Sequence, residues 1–271
     1  MAVDAASLIT LSDLKSQLGI TSTTDDTVLE RCIDRASKSV ESYCARVFKE
    51  NRYYETHDTW NNWTVVLKQN PVSIVRLVAV DWMNAINVSS TISTDAMVSV
   101  TVDQDHIHLY RVSSTGAETS TQAAFTSHET TSEIAAHIST ITGFSASSLV
   151  NLPSRYLRKM SGISLLTSSA YLGAWRGGFN NYQVDLDTGI VYGKQLYGYR
   201  SMFIDYTAGY ATVPYDVQEA TTMIASRIYN GRKRDGGLSS ESLGGYSYSL
   251  RASSDFDAEA RELLAPYRRV R

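Results

Sequence analysis

Between residues 44 and 52 the apolar period of this chain changes from three-and-four to two, and that change decides its fold class. Up to that point Val28, Leu29, Cys32, Ile33, Ala36, Val40, Tyr43 and Cys44 recur at helical spacing, with Asp25 or Asp26 available as a cap. The opposite face carries Glu30, Arg31, Asp34, Arg35, Lys38 and Glu41, so the helix sets one side on a core and offers the other to water or a neighbouring subunit. A shorter helix precedes it, capped by Thr10 with Asp13 three residues on, carrying Leu14 and Leu18 and closed by Gly19. Beyond the change, Arg52 to Glu55, Thr64 to Leu67 and Ser73 to Val80 alternate, punctuated by Asn61-Asn62 and Asn70-Pro71, and predict three antiparallel strands.

Both periods return near the C-terminus. Tyr182 to Leu186 and Ile190 to Tyr192 read as strands joined by a turn at Asp187-Thr188-Gly189, and Met202 to Tyr206 as another. Pro214 is placed at the first position of a long helix whose stripe is Val217, Ala220, Ile224 and Ile228, with Asn230-Gly231 as its end signal. Arg232, Lys233 and Arg234 follow, where cations suit the negative helix end. A last helix is expected from Ser254, with Asp257 as capping partner, burying Phe256, Ala260, Leu263 and Leu264 and stopping at Pro266 before a basic tail.

The middle of the chain differs. From Ile86 to Val150 there is no lysine and one arginine, and serine and threonine are dense, as in a separate, solvent-tolerant module. Val98 to Val102 and His106 to Tyr110 alternate across Asp103-Gln104-Asp105, the pattern of a hairpin, and Ile134, Ile138 and Ile141 mark a helix ending at Gly143. The expected fold is therefore α+β: an α-helical core with a small antiparallel β-sheet, built from residues 1–81 and 181–271, plus an inserted β-rich subdomain over 82–180.

With 271 residues, 43% hydrophobic and 20% charged, the composition is that of a folded domain and excludes a disordered or collagen-like chain. No apolar run approaches the roughly 18 residues of a membrane span, and the first residues lack the order of a signal peptide, so a soluble, unexported protein is expected. Cys32 and Cys44 on one helix would lie about 18 Å apart, too far for a disulfide, which needs about 7 Å; a reducing compartment is expected. Residues 1–150 carry 10 basic and 17 acidic side chains, residues 151–271 carry 15 and 11. That asymmetry suits contacts between unlike faces more than a dedicated nucleic-acid binder.

Catalytic signatures are weak. Gly189 to Lys194 is one residue short of a phosphate-binding loop and is followed by Gln195. Asp187-Thr188-Gly189 occurs once, whereas aspartic proteases need two such loops, so a turn explains it. His106 and His108 share a strand face as two metal ligands would, but no third ligand is evident at a useful spacing, and hydrogen-bonded histidines are the plainer reading. His57, His128 and His137 are scattered, without a nucleophile elbow among the serines. Arg232 to Arg234 and Arg268, Arg269 and Arg271 could touch DNA phosphates, against the plainer reading of a solvated helix end and tail. No catalytic residue, metal ligand or cofactor is assigned.

Several stretches, taken in order, resemble the head-tail connector, or adaptor, family of long-tailed phages. They are Thr10-Leu11-Ser12-Asp13-Leu14-Lys15 with the helix ending Val40 to Arg46; Asn70-Pro71-Val72-Ser73-Ile74-Val75; Ile204-Asp205-Tyr206-Thr207-Ala208-Gly209-Tyr210 with Val213-Pro214-Tyr215-Asp216-Val217; Ser240 to Ser249; and Leu264-Ala265-Pro266-Tyr267-Arg268-Arg269. The resemblance covers 1–81 and 181–271 and leaves 99 residues between. It implies a structural virion protein without catalysis, twelve copies of which form a ring under the portal protein at the head-tail interface. That ring would extend the channel for double-stranded DNA and dock a stopper or tail-completion protein, after assembly in the host cytoplasm and without a membrane partner. It also implies that the segment from Leu250 to Arg271 reaches the portal and orders on binding, with Leu264, Pro266, Tyr267, Arg268, Arg269 and Arg271 as contacts. Arg232, Lys233 and Arg234 are then candidates for the DNA channel or an interface, and Glu30, Arg31, Asp34, Arg35 and Lys38 for contacts between subunits. Two rivals stand beside this: a tail-side ring protein of the neck, and a cytoplasmic hydrolase using dispersed Ser, His and Asp residues.

Overall fold

Thr10 opens α1 (Leu11–Leu18) by a reciprocal capping box. Its hydroxyl accepts the Asp13 N–H, and the Asp13 carboxylate accepts the Thr10 N–H at 2.9 Å. Gly19 closes the helix with φ 67°, the left-handed conformation that glycine adopts without strain. α2 (Asp26–Cys44) buries Leu29, Cys32, Ile33, Ala36, Ser37, Val40 and Cys44. Asp25 stands at its N-cap without capping it. These elements belong to a computed structural model that describes residues 7–58, 62–177, 182–196, 202–232, 240–243, 246–249 and 258–269.

Three strands follow, β1 (Asn51–His57), β2 (Asn62–Val66) and β3 (Val72–Ala79). The middle of the chain adds β4 (Asp81–Ser90), β5 (Met97–Val102), β6 (His106–Val112), β7 (Glu118–Ala124), α3 (Thr131–Thr140), β8 (Phe144–Ser148), β9 (Met160–Ser164) and β10 (Ala170–Arg176). A 3-10 turn at Ser154–Tyr156 precedes β9. The last part contains β11 (Tyr182–Asp185), β12 (Ile190–Leu196), β13 (Met202–Ala208), α4 (Tyr215–Gly231), β14 (Ser240–Leu243), β15 (Tyr246–Ser249) and α5 (Ala258–Leu264). The mixture of helices and small antiparallel sheets is the α+β class read from the sequence.

The three early strands pair with the end of the chain rather than with one another. β13 lies between β1 and β3, antiparallel to both, and all seven of its residues are buried. β2 joins β12, which pairs in turn with β11. In the middle stretch β4 runs between β8 and β10, and β5 between β6 and β9, with β7 outermost beside β6. Of these strands the sequence showed only the β5–β6 hairpin.

Burial falls into separate groups. α1, α2, α4 and α5 enclose Leu14, Leu29, Ile33, Val40, Val217, Ala220 and Leu264. Val65, Leu67, Val78, Val191, Ile204 and Tyr206 form the core of the sheets. The largest group is drawn entirely from between Ala85 and Ala174, around Ile86, Val100, Leu109, Ile134 and Leu172. Ala79, Trp175 and Phe203 form a small contact joining β3 and β13 to β10, with Trp175 stacked on Phe203 at 5.9 Å.

Some predicted ends shift. Pro214 is the N-cap of α4 and Tyr215 its first residue, while Gly231 lies inside the helix and Arg232 follows in right-handed geometry. Pro266 lies within a 3-10 turn, Ala265–Tyr267, that continues α5. The expected start at Ser254 and its partners Phe256 and Asp257 lie outside the described residues. β14 and β15 pair as a hairpin.

Candidate functional site

The basic tail is packed on its own chain. Leu264 is fully buried among the helices, and the Tyr267 ring meets Phe48 edge-on at 5.9 Å and Tyr210 at 6.4 Å. The Arg269 N–H donates to the Cys44 carbonyl at 3.0 Å, and its guanidinium donates to the carbonyls of Leu67, at 3.0 Å, and Lys68. Arg269 thereby bridges the end of α2 to the segment after β2. Pro266 and Arg268 remain exposed, with the Arg268 guanidinium 5.5 Å from the centre of the Tyr43 ring. Arg271 lies outside the described residues.

Arg232 is engaged as well. Its Nη2 donates to Asp25 Oδ2 at 2.8 Å, the same oxygen accepts the Tyr229 hydroxyl at 2.5 Å, and the guanidinium stacks 4.1 Å from the Tyr229 ring centre. The hydrogen bond to Asp25, helped by burial, pushes the Tyr229 hydroxyl pKa up. The Asp25 carboxylate thus ties the start of α2 to the end of α4 instead of capping its own helix. Lys233 and Arg234 lie outside the described residues. On α2, Arg31, Arg35 and Lys38 are exposed, whereas Glu30 and Asp34 are half-buried, and Asp34 accepts the Ser7 hydroxyl at 2.6 Å.

Sequence reasoning missed a polar cluster between the sheet core and the middle stretch. Arg52 on β1 forks onto Asp205 of β13, which is fully buried, and Tyr156 donates to the same carboxylate at 2.8 Å. Arg52 is held more firmly protonated than usual, first by the hydrogen bond to Asp205. Beside it Glu55 accepts the Tyr206 hydroxyl and faces His57 Nε2 at 2.8 Å. A cleft of about 680 Å³ opens here, with Lys68, Arg155 and Lys159 on its walls. Its members come from remote positions, so only the unusual Asp205 inside an apolar strand hinted at them.

Other expectations resolve locally. The Asp187-Thr188-Gly189 triplet is a turn, as read, but the carboxylate that accepts the turn's N–H groups is Asp185, from Asp187 at 3.1 Å and Thr188 at 3.3 Å. Gly189 supplies φ 70°. Both cysteines are free and buried; burial pushes the Cys44 thiol up to about 11, against the pull of Arg46 and Arg268, which leaves it protonated and unreactive at neutral pH. His106 and His108 do have an acidic neighbour, Asp103, contributed by the hairpin turn. No helix among the described residues is long and apolar enough to cross a membrane.

Residues 8–112 match the family model described as phage gp6-like head-tail connector protein, in agreement with the resemblance read from the sequence. No curated protein matches the chain. Among solved structures, the neck of an empty GTA particle with C6 symmetry aligns over 100% of this chain and 94% of its own, with 14% identity and a TM-score of 0.44. The virion of a native gene transfer agent (GTA) particle aligns over the same shares with 15% identity and a TM-score of 0.38.

Proposed function

We propose, from the connector-family match over residues 8–112, that this chain is a structural subunit of the phage neck, twelve copies of which form a ring beneath the portal protein. The ring continues the channel for double-stranded DNA and receives the stopper or tail-completion protein on its lower face. The observation that carries the reading is the match itself, which spans α1, α2 and the strands to β6. No catalytic step is assigned. Residues 1–81 and 181–271 form the connector core and 82–180 an inserted subdomain on the outer side of the ring. The pairing of β1, β2 and β3 with β12 and β13 supports this division, as does a hydrophobic group confined to residues 85–174. The exposed cations Arg31, Arg35 and Lys38 on α2 are the subunit-facing side chains. Of the tail residues, Pro266 and Arg268 are exposed enough to meet the portal while Leu264 anchors the segment from inside.

The test is the mass of the purified chain alone and mixed with the portal protein of the same genome, by light scattering after size exclusion. A stable complex with about one copy per portal subunit is expected. Association with the tail terminator and never with the portal would assign the chain to the tail side of the neck instead.

A further inference from the structure

The β5–β6 turn brings three ligand-type side chains to one point. His106 and His108 project from the same face of β6, two residues apart, and Asp103, at the other end of the turn, folds back over them. One ligand atom from each of the three lies within 4.8 Å of the other two. His108 Nε2 is 2.6 Å from Asp103 Oδ2, and His106 Nδ1 is 3.8 Å from Asp103 Oδ1, beyond hydrogen-bond reach. Around a tetrahedral zinc ion with ligands at about 2.0 to 2.2 Å, neighbouring donor atoms stand about 3.3 Å apart. The three donor atoms, all within 4.8 Å of one another, therefore need only small side-chain rotations to reach that spacing.

The carboxylate is already oriented. Asp103 Oδ1 accepts the N–H groups of Asp105 at 2.7 Å and His106 at 2.6 Å, the kind of outer hydrogen bonding that fixes a metal-binding carboxylate. The turn is further held from outside, because Arg155 bonds Asp105 at 2.8 Å. All three side chains are half-buried, so the point is open to solvent. We propose that Asp103, His106 and His108 form a binding site for a divalent cation of the zinc class. Two imidazoles and one carboxylate suit zinc, cobalt(II) or nickel(II) and do not suit magnesium, which prefers an all-oxygen shell. Three protein ligands leave the fourth tetrahedral position for water or for a donor from another chain. A zinc ion would take the place of the direct His108–Asp103 contact, with the neutral His108 ring offering its Nε2 lone pair and carrying its one proton on Nδ1.

The experiment uses the full chain without an affinity tag, stripped with a chelator and titrated calorimetrically with zinc chloride and separately with magnesium chloride. One zinc per chain and no magnesium binding are expected. His106→Gln and His108→Gln should each weaken zinc binding at least about tenfold, with His128→Gln unchanged as the control. Asp103→Asn keeps an oxygen for the turn N–H groups and should also weaken zinc binding. Added cobalt(II) should give the visible absorption of a tetrahedral site in the parent chain only. Absence of zinc binding in the parent chain, or equal binding in the two histidine variants, overturns the proposal.

Discussion

Arg52 holds Asp205 across a diagonal of the sheet. Asp205 stands opposite Tyr54, two residues beyond Arg52 on β1, and the guanidinium reaches over with Nε 2.8 Å from Oδ1 and Nη2 on Oδ2. Arg52 is 41% exposed while the Asp205 side chain is wholly buried. The aspartate has therefore left water, and its charge is compensated by the arginine and by the Tyr156 hydroxyl. Because Tyr156 comes from the 3-10 turn of the middle stretch, one carboxylate fastens that stretch to the central strand.

Removing Arg52 leaves the buried carboxylate without its counter-charge. Arg52→Ala is expected to cost about 3 to 5 kcal/mol, and Tyr156→Phe, which removes one hydrogen bond to a charged group, about 1.5 to 3 kcal/mol. Urea unfolding of both variants against the parent chain checks this. A loss below about 1 kcal/mol in Arg52→Ala would show that Asp205 does not depend on the pair.

Glu55 sets the response to acid. Burial pushes its pKa up, but the hydrogen bonds from His57, Tyr206 and the Lys68 N–H outweigh burial and hold it below the ordinary 4.5. A carboxylate with a depressed folded pKa stabilises the protein above its unfolded value and loses that contribution as pH falls through the folded one. The stability difference between the parent chain and Glu55→Gln is therefore expected to be full above about pH 5 and to shrink steadily below 4.5. Melting temperatures between pH 7 and pH 3 give the curve; a difference that grows toward acid would reverse the sign and defeat the reading.

Tyr156 sets a matching limit in alkali. Burial, then its hydrogen bond to Asp205 and the charge there, pushes its pKa up to about 12 from 10. Its contribution is full below pH 10 and is lost as pH rises toward 12. Tyr156→Phe should show a flatter alkaline limb than the parent, and ultraviolet titration should lose one late-ionising tyrosine.

What the sequence made legible was whatever is settled within a few residues. The Thr10/Asp13 box, the α2 stripe and the β5–β6 alternation are local patterns, and each element stands where the pattern put it. β8 escaped because Ser145, Ala146, Ser147 and Ser148 are too small to show alternation, and β10 because four consecutive residues, Leu172 to Trp175, are buried and erase it. The pairing of β1 and β3 with β13 is decided by partners more than 120 residues away. For the same reason the Arg52–Asp205 pair and the seat of Tyr267 between Phe48 and Tyr210 could not be read, although every residue in them was in view.

Gly209 occupies a position that no other residue fits. Its φ is 113°, and a Cβ there would stand 2.6 Å from the Lys49 carbonyl oxygen and 2.7 Å from its carbon. Backbone bonds on both sides, from Gly209 N–H to Pro71 and from Tyr210 N–H to Phe48, prevent the chain from moving aside. Gly209→Ala is expected to lower stability by about 3 kcal/mol or more, from strain plus the clash. Gly116→Ala, at φ 83° with nothing within 4 Å, carries the strain alone and should cost only about 1 kcal/mol. Equal costs in thermal or urea unfolding would mean that the close approach to Lys49 plays no part.

The tail prediction separates folding from docking. Tyr267 is half-buried between two aromatic rings, so Tyr267→Ala should cost about 2 kcal/mol from lost apolar contact and ring packing. Deleting Tyr267 to Arg271 also removes the Arg269 bonds to Cys44, Leu67 and Lys68 and should lower the melting temperature further. Weakened portal docking in that deletion would therefore mix two causes. Arg268 is exposed, with its guanidinium over the face of Tyr43, so Arg268→Glu should leave stability within about 0.5 kcal/mol of the parent. Weaker association of Arg268→Glu with the portal, at an unchanged melting temperature, would assign the tail to the docking surface. Unchanged association would leave the tail with a structural role only, as the clasp between α2 and the segment after β2.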